Sequence, residues 1–125
     1  MGKASYWQRG ETIDYVNSGT EIIEANTIVV LGSRIGVAGT DILPGEKGSL
    51  HVTGVFGMPK GSGEIAAGAD VYYLEPDGVI TAEQAKVAAA ESEEEEPATV
   101  PNVKAGFAVC GAGSDELYVY VKINA

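Results

Sequence analysis

The sequence predicts a mainly β domain carrying one short helix and an acidic loop insert. Three observations predict it. Seventeen of the 125 residues are glycine, about twice the usual share of roughly 7%. The glycines fall between short apolar runs rich in Val, Ile and Tyr, and the runs end in Gly, Asp, Asn or Pro, the punctuation of an all-β chain. The last run, Leu117-Tyr118-Val119-Tyr120-Val121-Lys122-Ile123, alternates strictly. Its odd positions are aliphatic and its even ones are Tyr, Tyr and Lys, so one face reads as core and the other as aromatic and wet.

The elements follow in order. Thr12-Ile13-Asp14-Tyr15-Val16 is a short strand closed by Asn17-Ser18-Gly19. Thr27-Ile28-Val29-Val30-Leu31 is almost wholly apolar and β-branched, which reads as a strand buried on both faces or one at a barrel corner. Gly32-Ser33 is a tight turn, after which Ile35-Gly36-Val37-Ala38 resumes the strand. In Asp41-Ile42-Leu43-Pro44-Gly45-Glu46 the proline pre-sets φ and the glycine takes the next position, as a type II turn requires. Leu50-His51-Val52-Thr53-Gly54-Val55-Phe56 alternates roughly at period two, and Met58-Pro59-Lys60-Gly61-Ser62-Gly63 reads as an irregular loop. Val71-Tyr72-Tyr73-Leu74 is a strand, Glu75-Pro76-Asp77-Gly78 a turn, and Val79-Ile80-Thr81 pairs back across it. A weak internal echo links Ile42-Leu43-Pro44-Gly45-Glu46 to Ile65-Ala66-Ala67-Gly68-Ala69-Asp70, which reads as two hairpins sharing turn chemistry rather than as a duplication.

Residues 82–98 break the pattern. Thr81 and Gln84 have the spacing of a capping box, which predicts at most two or three helical turns over the alanines that follow. Glu93-Glu94-Glu95-Glu96 then repels itself and Pro97 stops the helix. With six Glu against one Lys, the segment reads as a solvated insert projecting from the body, or else as an acidic lobe for a basic partner. Its flanks, Val79-Ile80 and residues 103–110, are expected to pair across a shorter loop.

Charge and missing motifs narrow the function. Eighteen acids stand against eight Lys and Arg, a formal net charge of −10, which argues against nucleic acid and against an anionic membrane as partners. One cysteine, Cys110, and one histidine, His51, leave no internal disulfide, no cysteine-based zinc site and no multi-histidine metal site. No cofactor site is expected. The nearest approach to a phosphate loop, Gly39 to Lys47, has the wrong spacing and carries Glu46, which would repel phosphate. No Gly-x-Ser-x-Gly elbow exists. His51 sits mid-strand with no nucleophile converging on it, so it reads as a structural or solvent-facing side chain. Cys110 reads as a core or half-buried thiol, and Asp77 and Asp115-Glu116 as turn residues. No apolar run approaches the ~20 residues that span a bilayer, and the N-terminus lacks a signal-peptide stretch. Tyr6 and Trp7 lie in a polar N-terminal arm, residues 1–10, with no core-forming pattern. Aromatic residues there either anchor on a partner or fold back on their own domain.

Several motifs carry a resemblance. Lys3-Ala4-Ser5-Tyr6, Gly10-Glu11-Thr12-Ile13-Asp14-Tyr15, Ile35-Gly36-Val37-Ala38, Asp41-Ile42-Leu43-Pro44-Gly45-Glu46-Lys47-Gly48, Val52-Thr53-Gly54-Val55-Phe56 with Met58-Pro59-Lys60, Val71-Tyr72-Tyr73 and Ala105-Gly106-Phe107-Ala108 resemble the capsid cement, or decoration, proteins of tailed phages. The resemblance covers nearly all of the chain except the acidic insert. The chain departs from the family in having Ala25-Asn26 where a glycine turn is usual, and in its longer, more acidic insert. The label of RecA/RadA-like recombinase that some members bear finds no support in a chain of this charge without a phosphate loop.

The resemblance implies a small β-barrel or β-tulip-like domain over residues 11–125. It implies a non-enzymatic virion protein, made in the host cytoplasm, that binds the outer surface of a phage head. Its partners would be the major capsid protein and itself, as a homotrimer on the capsid. The residues expected at such interfaces are Tyr6, Trp7, Arg9, Met58, Pro59, Tyr118 and Tyr120. A small ligand-binding or carboxylate-dependent enzyme barrel using His51 is the alternative.

Overall fold

Alternating apolar residues and turn-forming glycines sort the chain into antiparallel strands. We describe a computed structural model covering residues 2–75, 77–87 and 99–125. The first sheet contains β1 (Thr12–Val16), β2 (Ile28–Leu31), β3 (Arg34–Ala38) and β4 (Lys47–His51), in the order β1-β4-β3-β2. The second is built from β5 (Val55–Pro59), β6 (Asp70–Leu74) and β7 (Val79–Thr81). After a hairpin of β8 (Ala85–Val87) and β9 (Thr99–Pro101), it is completed by β10 (Val103–Ala108) and β11 (Tyr118–Ile123). Its order is β5-β11-β10-β6-β7. Ile35 and Val37 of β3 pack with Met58, Val71, Ile80, Val119, Val121 and Ile123 of the second sheet, so the two sheets share one buried cluster.

The expected closed barrel does not form. The outer strands of the second sheet meet only at an isolated parallel bridge, Lys60 to Ile80, where the Gly61 N–H donates to the Ile80 carbonyl at 2.9 Å. One bridge draws the edges together without making a ladder, and the result is two open sheets.

The expected helix is also absent from the described residues. Thr81 Oγ1 accepts the Glu83 N–H at 3.2 Å, the beginning of a cap. Gln84 then donates to the Tyr72 hydroxyl at 3.2 Å instead of reaching back, and Ala85–Val87 runs on as a strand paired with Thr99–Pro101. Cross-strand pairing overrides a helix propensity that is weak over so few residues. Residues 88–98, where the rest of that helix and the glutamate run were expected, lie outside the described residues.

Two pairings differ from expectation. The apolar run at Ile28–Leu31 is half-buried at an outer edge rather than enclosed on both faces. The flanks of the insert do not pair with each other. β7 and β10 lie on opposite sides of β6.

The echo between turns extends to a repeat of the whole sheet. Strands β1, β2, β3 and β4 correspond in order to β5, β6, β10 and β11, and both sets share the same neighbours. The backbone bonds recur position by position. Ile23 and Ile42 exchange bonds of 2.9 and 2.8 Å, as Ile65 and Ala112 do at 2.9 and 2.8 Å. The Asn26 N–H reaches the Ala38 carbonyl at 2.7 Å, and the Gly68 N–H reaches that of Ala108 at 2.7 Å. Val52 donates to Glu11, and Ile123 to Gly54, both at 3.0 Å. Shared turn chemistry accounts for none of the bonds outside the turns, so residues 11–52 and 54–123 are read as two copies of one unit. Where Gly68 takes φ 81°, Asn26 takes φ 73°, because asparagine tolerates left-handed backbone. The turn survives the missing glycine.

Asn124 couples the two units. Its Nδ2 donates to the Ile35 carbonyl at 2.8 Å and the Val52 carbonyl at 2.9 Å, and its Oδ1 accepts the Ile35 N–H at 3.3 Å. Each such bond contributes about 1 kcal/mol, so Asn124→Ala is expected to lower unfolding stability by about 3 kcal/mol in urea titrations. Asn124→Gly keeps the φ of 57° but loses the bonds. If that variant matched the wild type, the coupling would be refuted.

Candidate interaction surface

Strand β11 divides its residues cleanly. Val119, Val121 and Ile123 are buried, whereas Tyr118, Tyr120 and Lys122 face outward. Antiparallel register places Pro59 opposite Tyr118, Gly57 opposite Tyr120 and Val55 opposite Lys122. A Cβ at Gly57 would lie 3.3 Å from Tyr120 Cε1, so this glycine makes room for the ring. Tyr118 and Tyr120 remain 61% and 58% exposed, and Val55, Val109 and Leu117 add exposed apolar surface close by in sequence or register. Exposed apolar groups gathered on a rigid sheet are the usual composition of a protein-binding patch.

The structure brings three of the seven expected interface residues, Pro59, Tyr118 and Tyr120, onto one face. Met58 is buried in the core. Tyr6 and Trp7 are 84% and 86% exposed. They stand with the exposed Arg9 in residues 2–10, which form no strand. Val55 and Leu117 escaped the sequence reading. The alternating run Leu50–Phe56 is broken, since β4 ends at His51 and Gly54 takes φ 119°, and β5 runs from Val55 to Pro59, through the start of the segment expected to be an irregular loop. Leu117 precedes the first residue of β11, so its place in the alternating pattern does not bury it.

Among the described residues the other chemical groups stand apart from one another. The His51 ring packs against Phe56, with centroids 5.7 Å apart and planes tilted by 46°. Cys110 is exposed rather than core or half-buried. Burial raises the Tyr73 hydroxyl above its ordinary pKa of 10.0, and the Glu75 charge adds to that rise. Lys60 is buried, and its Nζ donates to the carbonyls of Gly61 at 2.8 Å and Gly63 at 2.6 Å, which pins its loop. Asn17 occupies the matching place after β1, donating to the Glu21 and Ile42 carbonyls at 2.7 and 2.9 Å. Among the described residues no group of three His, Cys, Asp or Glu side chains is placed to hold a metal ion, and no helix is long and apolar enough to cross a membrane.

No curated protein and no solved structure matches the chain at a significant level. A family model described as phage cement protein matches residues 7–123. That span takes in both repeated units, the aromatic face and Trp7. The chain therefore belongs to the phage cement protein family, whose members are structural proteins associated with the phage capsid.

Proposed function

We propose that this chain is a non-enzymatic cement protein that binds the outer surface of a phage head. It contacts the major capsid protein and bridges neighbouring subunits as a homotrimer. The observation that carries this reading is the exposed strip of Pro59, Tyr118 and Tyr120 on the paired strands β5 and β11, in a chain of the cement family. Tyrosine at such a site buries large area at low conformational cost. The trimer interface includes part of β11 or residues 54–60, most of which form β5. The net charge of −10 favours the outer surface, because packaged DNA repels acidic protein.

The test is the addition of purified protein to expanded heads that lack it. Saturation at a fixed ratio to the shell subunits is expected, with neighbouring copies in contact in a reconstruction. Sub-stoichiometric, unsaturable binding would refute the cement reading, and isolated monomers on the shell would refute the trimer.

The insert is expected to be dispensable for this contact. Its base is part of the body. The Asn102 N–H donates to the Gln84 carbonyl at 2.8 Å, and the Gln84 amide covers the Tyr72 hydroxyl. Replacing residues 88–98 by a short Gly/Ser linker leaves that base intact and should cost less than about 1 kcal/mol, since closure entropy changes only logarithmically with loop length. Head binding should persist with weak salt dependence. Loss of binding by a folded linker variant, with wild-type binding collapsing as salt rises, would make the insert an electrostatic docking element.

A further inference from the structure

The arm and the body carry opposite charge. Residues 1–10 hold two of the eight Lys and Arg, Lys3 and Arg9, and none of the 18 acids. No hydrogen bond or ion pair ties residues 2–10 to the rest of the described chain, and residues 2–9 are all exposed. In an extended strand alternate side chains share a face. Lys3, Ser5, Trp7 and Arg9 then line one side, an indole flanked by two cations.

The body offers a complementary site. A groove of about 270 Å³ lies between the two sheets, lined by Ile28, Val37, Phe56, Met58 and Pro59 with Asn26 at its edge. The turn that carries Asn26 is acidic. Glu24 is exposed on it, and Asp41 Oδ1 accepts the Ala25 N–H at 2.8 Å. Ile28 also begins β2, the outer strand of the first sheet, which has no partner on its free side among the described residues. Ile28-Val29-Val30-Leu31 carries no charge, proline or bulge, the devices that normally protect an edge from strand addition.

We propose that the arm of one copy adds as a strand to the free edge of β2 in a second copy. Trp7 sits in the groove beside Ile28 and Phe56, and the arm's cations face Glu24 and Asp41. The geometry disfavours the chain's own groove. The arm enters at β1, the opposite outer strand of the same sheet. Three strand spacings separate the two edges, about 14 Å, and the few residues from Trp7 to β1 span at most about 17 Å. Almost all of that reach is spent crossing the sheet, which leaves none to run alongside β2. The proposal rests on the cement reading only for the crowding of copies on one shell. The contact itself is a property of the free protein.

The test uses a fluorescein-labelled peptide of residues 1–10 titrated into the full-length protein at low ionic strength, followed by anisotropy. Saturable binding is expected, weakened at least tenfold by Trp7→Ala in the peptide and at least tenfold by Ile28→Lys in the protein. The peptide variant cannot perturb the fold, so its result stands even if Ile28→Lys fails to fold by circular dichroism. Absence of saturable binding, indifference to Trp7→Ala, or unchanged binding by a folded Ile28→Lys variant overturns the proposal. A protein that binds the peptide but does not add to heads would overturn the cement reading and leave this contact standing.

Discussion

Gly106→Ala is expected to remove a large part of the chain's stability, whereas Gly36→Ala, at the matching position of the other unit, is expected to be mild. Gly106 sits on β10 at a break in the register with β6, between Lys104 and Gly106. Its φ is 149°, a conformation that residues with a side chain rarely adopt. A methyl group there would overlap the Lys122 carbonyl oxygen and stand 2.9 Å from the Lys122 carbonyl carbon and 3.1 Å from Ile123 Cα. All three atoms are backbone of β11, in the middle of the second sheet, so no side chain can swing away. Backbone strain combined with a buried overlap belongs to the group of substitutions costing on the order of 4 kcal/mol or more, against a total of about 5–15 kcal/mol for an ordinary domain. At Gly36 the φ is not positive. The nearest atom to an added Cβ is Leu50 Cδ1 at 3.1 Å, a side chain that can shift. A cost of about 1–2 kcal/mol is expected there. Urea titrations of the two variants check the contrast. Equal losses would show that the register break at β10 does not impose the constraint.

The same pair of glycines shows what sequence reading could reach. Both stand in short motifs, Ile35-Gly36-Val37-Ala38 and Ala105-Gly106-Phe107-Ala108, that read correctly as strands. Period-two alternation also gave β11 its buried and exposed faces, because one side of that strand is wet. The alternation fades where burial is uneven. Ile28–Leu31 is uniformly apolar yet lies at an edge, and no periodicity separates an edge strand from an enclosed one. The duplication was visible only as a pair of similar turns. The second unit carries an extra strand and a hairpin between the segments that match β2 and β3, and few side chains remain alike. The backbone bonds kept the pattern after the residues had diverged. Over the described residues the helix expectation failed because capping spacing at Thr81 and Gln84 is a local signal, whereas the Tyr72 hydroxyl that claims Gln84 belongs to another strand, 12 residues earlier. Of the interaction surface, Pro59, Tyr118 and Tyr120 could be named, but their convergence depends on the β5–β11 register, which no local pattern encodes.

Deletion of residues 2–10 is expected to abolish binding to the phage head while leaving the circular dichroism of the sheets unchanged. The deletion stops before Glu11, whose carbonyl accepts the Val52 N–H at 3.0 Å, so every backbone bond of the first sheet is retained. Nothing in the described body rests on the arm, because Tyr6 and Trp7 are almost fully exposed. A partner that covers them gains two large aromatic anchors. Such residues, when buried at the centre of an interface, commonly contribute about 2 kcal/mol or more each. Their joint removal should therefore weaken binding by about 4 kcal/mol, close to a thousandfold. Trp7→Ala alone should account for about half of that free energy, and its effect separates anchoring from the charge of Lys3 and Arg9, which the variant keeps. Binding measured by co-sedimentation with heads decides the matter. A truncated protein that saturates the shell as the full chain does would confine the head contact to the face of Pro59, Tyr118 and Tyr120, and Tyr118→Ala combined with Tyr120→Ala would then have to carry the loss instead.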